Sequence, residues 1–134
     1  EAGEWLYGDK EFQIIRNAID IEKFEFRLAT RERIREELNL KGKFVVGHIG
    51  RLSYQKNQAF LIDIFSEFNK MNPESVLILV GGGYRDNELE KKAKQLSLIG
   101  KIIFLGERED VSEILNCFDV FVFPSRFEGL GIVV

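Results

Sequence analysis

The chain has 134 residues, with 19 Lys plus Arg against 22 Asp plus Glu and a net charge of −3. That length suits one domain with its own core, and the acidic balance argues against a mainly electrostatic nucleic-acid binder. A single cysteine, Cys117, excludes an internal disulfide and fits a reducing compartment, while no apolar run reaches the roughly 20 residues of a membrane span. The chain starts without Met and stops in the apolar run Gly131-Ile132-Val133-Val134, so it reads as a piece of a longer protein.

Residues 1–43 are charged and irregular. Gln13-Ile14-Ile15 is a short strand candidate. Thr30 is placed to cap a helix running to about Leu38, with Ile34 and Leu38 on one face and Lys41-Gly42-Lys43 as its stop. From Phe44 the pattern changes. Residues 44–49 read as a strand. Asn57 to Lys70 reads as a helix with an apolar stripe of Phe60, Leu61, Ile64, Phe65 and Phe68. Val76 to Val80 is a continuous apolar strand, followed by Gly81-Gly82-Gly83 and a helix to about Ser97 that turns Leu89, Ala93 and Leu96 inward. Lys101 to Leu105 is a third strand. Asp110 and Glu113 have capping-box spacing for a short helix, and Val120 to Phe123 is a fourth strand ended by Pro124.

Continuous apolar strands alternating with helices imply a parallel sheet covered on both faces, hence an α/β, Rossmann-like doubly wound fold. Such sheets bind ligands at the carboxyl ends of their strands. After the first strand stand Gly50, Arg51 and Lys56, which suit a diphosphate: Arg as a fork, Lys as a point charge. Two solvated surface cations fit that spacing equally well. After the second stand Gly81, Gly82 and Gly83, a turn that admits close approach but is neither the dinucleotide fingerprint nor a Walker A loop. After the third stand Glu107 and Val111, where the main chain could border a base. After the fourth stand Glu128, a carboxylate suited to sugar hydroxyls, and Gly129, Leu130 and Gly131, whose amides suit phosphate or sugar oxygens. His48, the only histidine, reads as a core residue, as does Cys117. Metal binding has no ligand cluster to support it.

Together these motifs resemble the family-4 glycosyltransferases of two-domain GT-B fold. Asn17-Ala18-Ile19-Asp20 with Lys23-Phe24 is similar to that family's interdomain segment, with Arg16 where the family usually has Pro. Gly50-Arg51-Leu52 with Lys56 is similar to its G-R-L-x-x-x-K loop. Phe127-Glu128-Gly129-Leu130-Gly131 is similar to the first half of its E-x7-E element, whose second Glu would fall two residues past Val134. The wording Gly47-His48-Ile49-Gly50-Arg51, Gln55-Lys56-Asn57 and Phe104-Leu105-Gly106 before Arg108 is similar to bacterial capsule and exopolysaccharide transferases.

The resemblance implies a junction over 1–43 and a truncated sugar-nucleotide-binding domain over 44–134. Arg51 and Lys56 would hold the donor diphosphate, and Glu128 would touch the donor sugar; these three are the catalytic candidates. Gly50, Gly81, Gly82, Gly83, Glu107, Val111, Gly129, Leu130 and Gly131 would bind the rest of the donor. The reaction would retain anomeric configuration without metal or cofactor. The expected donor is a UDP-sugar, and the acceptor is a saccharide or a lipid-linked sugar held by a missing N-terminal domain. Nucleic acid is not an expected partner. The full protein would be cytoplasmic, with peripheral contact at the inner membrane face. The isolated piece would transfer nothing. The alternatives are another GT-B sugar-nucleotide enzyme such as an epimerase, or a non-catalytic nucleotide-binding Rossmann module.

Overall fold

A computed structural model describes residues 2–8, 10, 11, 13, 18–83 and 86–128. Its elements in chain order are α1 (Ala2–Tyr7), a 3-10 turn (Ile21–Phe24), α2 (Leu28–Glu37), β1 (Phe44–Ile49), α3 (Gln58–Met71), β2 (Ser75–Val80), α4 (Asp86–Gln95), β3 (Ile102–Gly106), α5 (Val111–Leu115) and β4 (Val120–Phe121). The four strands form one sheet in the order β3-β2-β1-β4, with every neighbour pair parallel. This is the α/β doubly wound arrangement expected from the strand pattern. β1 and β2 pair in full register from Phe44↔Ser75 to Ile49↔Val80. On the other edge of β1, Gly47 is level with Phe121. The chain therefore winds outward through β3 and then returns past β1, which puts the topological switch point between β1 and β4.

Alternation along the strands divides the core in two. Val46, Leu77, Leu79 and Ile102 face Leu61, Ile62, Phe65, Leu89 and Ala93 of α3 and α4. Val45, Ile49, Val76, Ile78 and Val80 face Ile34, Ile114, Cys117 and Phe118 on and after α2 and α5. Gly47 is a packing requirement: a Cβ there would lie 2.0 Å from the Phe118 ring.

Several local expectations are corrected. Thr30 lies inside α2, whose N-cap is Arg27; the Arg27 amide donates to Asn116 Oδ1 at 2.6 Å, so a tertiary contact starts the helix earlier. α2 stops at Asn39, in the left-handed region at φ 54°, ahead of Lys41-Gly42-Lys43. The amides of Asn39 and Leu40 reach back to the carbonyls of Glu36 and Arg35, a Schellman closure that drives Leu40 into the core. α4 ends the same way. Ser97 has φ 58°, the Leu98 amide donates to Ala93 at 2.9 Å, and Leu98 is the buried residue where Leu96 was expected. On α3 the buried set is Gln58, Leu61, Ile62, Phe65 and Ser66, leaving Phe60 and Ile64 exposed. This helix carries apolar residues around more than one stripe, so periodicity alone does not choose the inward one. The Asp110–Glu113 capping box does not form: Asp110 makes no side-chain cap, pairing instead with Arg108, while Glu113 pairs with Arg33. β4 spans only Val120–Phe121, although the Val122 amide still donates to Gly47. Of the strand candidate Gln13-Ile14-Ile15, Ile14 and Ile15 lie outside the described residues.

α2 is fastened to the α5–β4 turn by charge. Arg31 donates to the carbonyls of Asn116 and Phe118 and pairs with Asp119. Arg35 donates to the carbonyls of Cys117, Leu40 and Lys43 and pairs with Asp119 at 3.2 Å. Asp119 also accepts the Val45 amide at 2.7 Å. Partial burial works against its charge, but that amide and the two guanidinium groups prevail and hold its carboxyl below the usual range. Asp119→Ala leaves two half-buried cations and an amide unpaired, an expected cost of about 2–4 kcal/mol in denaturant unfolding. A loss under 0.5 kcal/mol, the scale of an ordinary surface change, would contradict this role.

Candidate functional site

The carboxyl ends of β1, β2 and β3 enclose a cavity of about 340 Å³ lined by Ile49, Gly50, Arg51, Val80, Gly81, Gly82, Glu107, Arg108 and Val111. Six sequence candidates thus meet in one place: Gly50, Arg51, Gly81, Gly82, Glu107 and Val111. Gly83 does not line it. A larger hollow of about 500 Å³, lined by Glu32, Arg35, Glu36, Asn39, Lys41 and Gly42, lies ahead of the amino end of β1, away from the strand edge where such folds bind ligands.

The glycines serve closeness. Gly81 has φ 126°, and a Cβ on it would lie 2.3 Å from the Gly50 carbonyl oxygen. At Gly83 a Cβ would lie 2.3 Å from the Leu52 carbonyl oxygen. The loops after β1 and β2 can therefore run main chain against main chain. Their amides are consumed in doing so: Gly50 donates to Val80, Leu52 to Gly82, and Gly81 to Gly106. Recognition of an anion here falls mainly to side chains. Among the described residues, the exposed Arg51 guanidinium has no hydrogen-bond or ion-pair partner. Arg108, part of a sequence motif but not one of its site candidates, is held by both carboxylate oxygens of Asp110 at 2.8 and 2.6 Å, and this pairing lowers the Asp110 pKa.

Lys56 and Glu128 sit beside the cavity. Their side chains, 18% and 25% exposed, form an ion pair of 2.8 Å. The Lys56 hydrogen bond holds Glu128 below the usual carboxylate range. The Lys56 ammonium also lies 4.5 Å from the Phe123 ring centroid, and its stem passes 3.6 Å from where a Gly50 Cβ would stand. More contacts join the same two loops: Gln55 Nε2 donates to the Phe127 carbonyl, the Arg126 amide to Gln55, and Asn57 Nδ2 to Pro124. The first and fourth loops are thus clamped across the switch point. Gly129, Leu130 and Gly131 lie outside the described residues.

His48 is fully buried beneath these loops, as a core reading requires. Burial lowers its pKa, so the ring is neutral. Its contacts with Val122 and Gln58 were not legible in the sequence, because a lone Gln at a helix start carries no recognisable signal. Among the described residues, no group of three or more His, Cys, Asp or Glu could hold a metal ion.

Residues 30–134 match the family described as glycosyl transferases group 1. The chain belongs to that family. It is 32% identical, over its whole length and 36% of the relative, to the putative glycosyltransferase EpsF of Bacillus subtilis. It is 33% identical to the UDP-Gal:alpha-D-GlcNAc-diphosphoundecaprenol alpha-1,3-galactosyltransferase of Escherichia coli, over 96% of this chain and 35% of that protein. The chain therefore spans about a third of these relatives. Among solved structures, Anabaena Alr3699/HepE in complex with UDP superposes with a TM-score of 0.80 at 30% identity, covering 90% of this chain and 34% of that one. The resemblance to glycosyltransferases and the doubly wound α/β fold both stand.

Gly81 and Gly82 make a paired test. Gly81→Ala meets backbone in a left-handed conformation, with an expected cost of about 2–4 kcal/mol. Gly82→Ala meets only the movable end of Glu107, 2.9 Å away, with an expected cost below about 1 kcal/mol. Thermal unfolding of both variants checks the ranking, which a reversed order would refute.

Proposed function

We propose that this chain is the donor-binding part of a retaining glycosyltransferase that moves a hexosyl or related group from a nucleotide-diphosphate sugar, most simply a UDP-sugar. The observation that carries the reading is Arg51, unpaired among the described residues, on a glycine-walled cavity at the carboxyl edge, with the Lys56–Glu128 pair across the Gly50 turn. The acceptor is a saccharide or lipid-linked sugar in polysaccharide assembly. The name of the E. coli relative, a transferase acting on a diphosphoundecaprenol acceptor, supports that choice. The acceptor side would be supplied by residues outside this chain, which by itself binds donor and transfers nothing. Among the described residues no helix is long and apolar enough to cross a membrane, and we place the reaction in the cytoplasm with peripheral membrane contact through the acceptor.

In this reading Arg51 forks onto the diphosphate. Lys56 gives one N–H to Glu128 and keeps two for phosphate oxygens. As the bond from the anomeric carbon to the diphosphate breaks, negative charge grows on the leaving oxygen, and in this reading both cations stabilise it. Glu128 accepts from a sugar hydroxyl with the oxygen that Lys56 leaves free. No carboxylate is assigned as a nucleophile, and no metal or cofactor takes part. Gly81 and Gly82 keep the wall low enough for the nucleotide, and the segment from Glu107 to Val111 borders the base. Gly129, Leu130 and Gly131 are assigned to sugar or phosphate oxygens.

Calorimetric titration with UDP, GDP and ADP tests the site. UDP is expected to bind best, and Arg51→Ala/Lys56→Ala to weaken it at least about a hundredfold, from two charge-assisted contacts of about 1.5–3 kcal/mol each. Absence of binding, or binding indifferent to both changes, would refute the donor site. A measurable transferase rate from this chain alone would refute the division of labour.

A further inference from the structure

Beneath the Arg51 loop lies a buried polar chain that the proposed chemistry does not use. His48, on β1, places Nδ1 2.8 Å from the Val122 carbonyl and Nε2 3.1 Å from Gln58 Nε2. Gln58, the first residue of α3, is 1% exposed. Its Nε2 donates to the Arg51 carbonyl at 2.9 Å, and its Oε1 accepts the Ser53 amide at 3.3 Å.

These two main-chain partners fix the amide orientation, since a flip would set oxygen against oxygen and N–H against N–H. With Gln58 Nε2 a donor, His48 Nε2 must accept, so the ring proton sits on Nδ1 and goes to Val122. The arrangement is satisfied only by a neutral ring. Protonation would set an N–H of His48 against an N–H of Gln58.

We propose that His48 and Gln58 are positioning residues that hold the Arg51–Ser53 loop in its cavity-lining form, and that they do so only while the imidazole is neutral. The link to donor binding rests on the function proposed above. The chain runs from β4 through β1 and α3 to the loop that carries Arg51, so it crosses the switch point.

The surroundings of the ring support a one-way response. β2 gives it Leu79 in register, α3 gives it Gln58, and the segment around β4 stacks Phe121 and Phe123 on it at 6.4 and 5.8 Å. The charged groups that reach it are Lys56, which opposes protonation, and Glu128, which favours it. Burial, with Lys56, outweighs the Val122 hydrogen bond and Glu128, so the ring's pKa lies below the ordinary imidazole value of 6.5. Glu128, already held below the carboxylate range by Lys56, stays charged through that window.

Two measurements on the chain test this. In the free protein, nitrogen-15 NMR follows the Arg51 and Ser53 amides and the Gln58 side-chain amide as pH falls from 7.5 to about 5. All three are expected to move with the His48 titration, and their remaining still while His48 titrates would overturn the proposal. Calorimetry with UDP-glucose, whose diphosphate does not titrate in this range, then reads the consequence. Affinity is expected to fall as His48 protonates, by up to about tenfold per pH unit below its pKa. Gln58→Leu should bind at least about fivefold more weakly at pH 7.5 with a similar unfolding temperature. His48→Gln, which can still accept from Gln58 but cannot titrate, should keep most of the affinity and lose the pH dependence. Wild-type affinity and pH profile in a folded Gln58→Leu would also overturn the proposal. Amides that track His48 in a chain that never binds UDP-glucose would uphold the coupling and refute the donor reading instead.

Discussion

The site depends on β1 being paired on both edges. Its register with β2 brings Gly50 against Gly81, close enough for amide-to-carbonyl bonds between the two loops. Its pairing with β4 at Val46 and Gly47 brings Lys56 to Glu128. Both contacts are possible because side chains are missing where the chain must pass closely: at Gly81 under the Gly50 carbonyl, and at Gly47 under the Phe118 ring. The helices outside the sheet then only have to hold these strands level. Arg31, Arg35 and Asp119 do so on one face, and apolar packing by α3 and α4 does so on the other.

Charge is arranged economically on this frame. The chain as a whole is acidic, yet the cavity presents an arginine that has no partner among the described residues, while neighbouring cations are paired. Arg108 is held by Asp110, and Lys56 by Glu128. In the proposed reading, a dianionic diphosphate entering this cavity would meet the Arg51 guanidinium, with the Lys56 ammonium beside it. The same reading gives Glu128, held by Lys56, to the donor sugar. Local placement therefore outweighs net charge in deciding what an acidic protein can bind.

The strands and the sheet's winding were legible because continuous apolar runs between helical segments leave few alternatives. The strand-end rule then pointed at Arg51, Gly81, Gly82, Glu107 and Val111 before any geometry was known, and these do share one cavity. What stayed hidden was local. Asn39 and Ser97 end helices in left-handed conformations that glycine usually takes, so Lys41-Gly42-Lys43 drew attention away from the real stop. Asp110 had the spacing of a cap but found a stronger partner in Arg108 two residues back. Ile62 is buried in the core, while Ile64 stays exposed at the β4 edge, where it lines an apolar hollow with Val46, Val120 and Val122. The His48–Gln58 contact joins residues whose roles exist only after β1 and α3 are packed together.

The central claim is that the cavity between the first three strand ends receives the nucleoside diphosphate. Backbone amide mapping on the nitrogen-15-labelled chain during UDP addition tests it most directly. The account requires the largest shifts at Arg51, Gly82 and the segment from Glu107 to Val111, with the hollow around Glu32 and Lys41 unaffected. Shifts confined to that hollow, or none at the strand ends at saturating UDP, would contradict it.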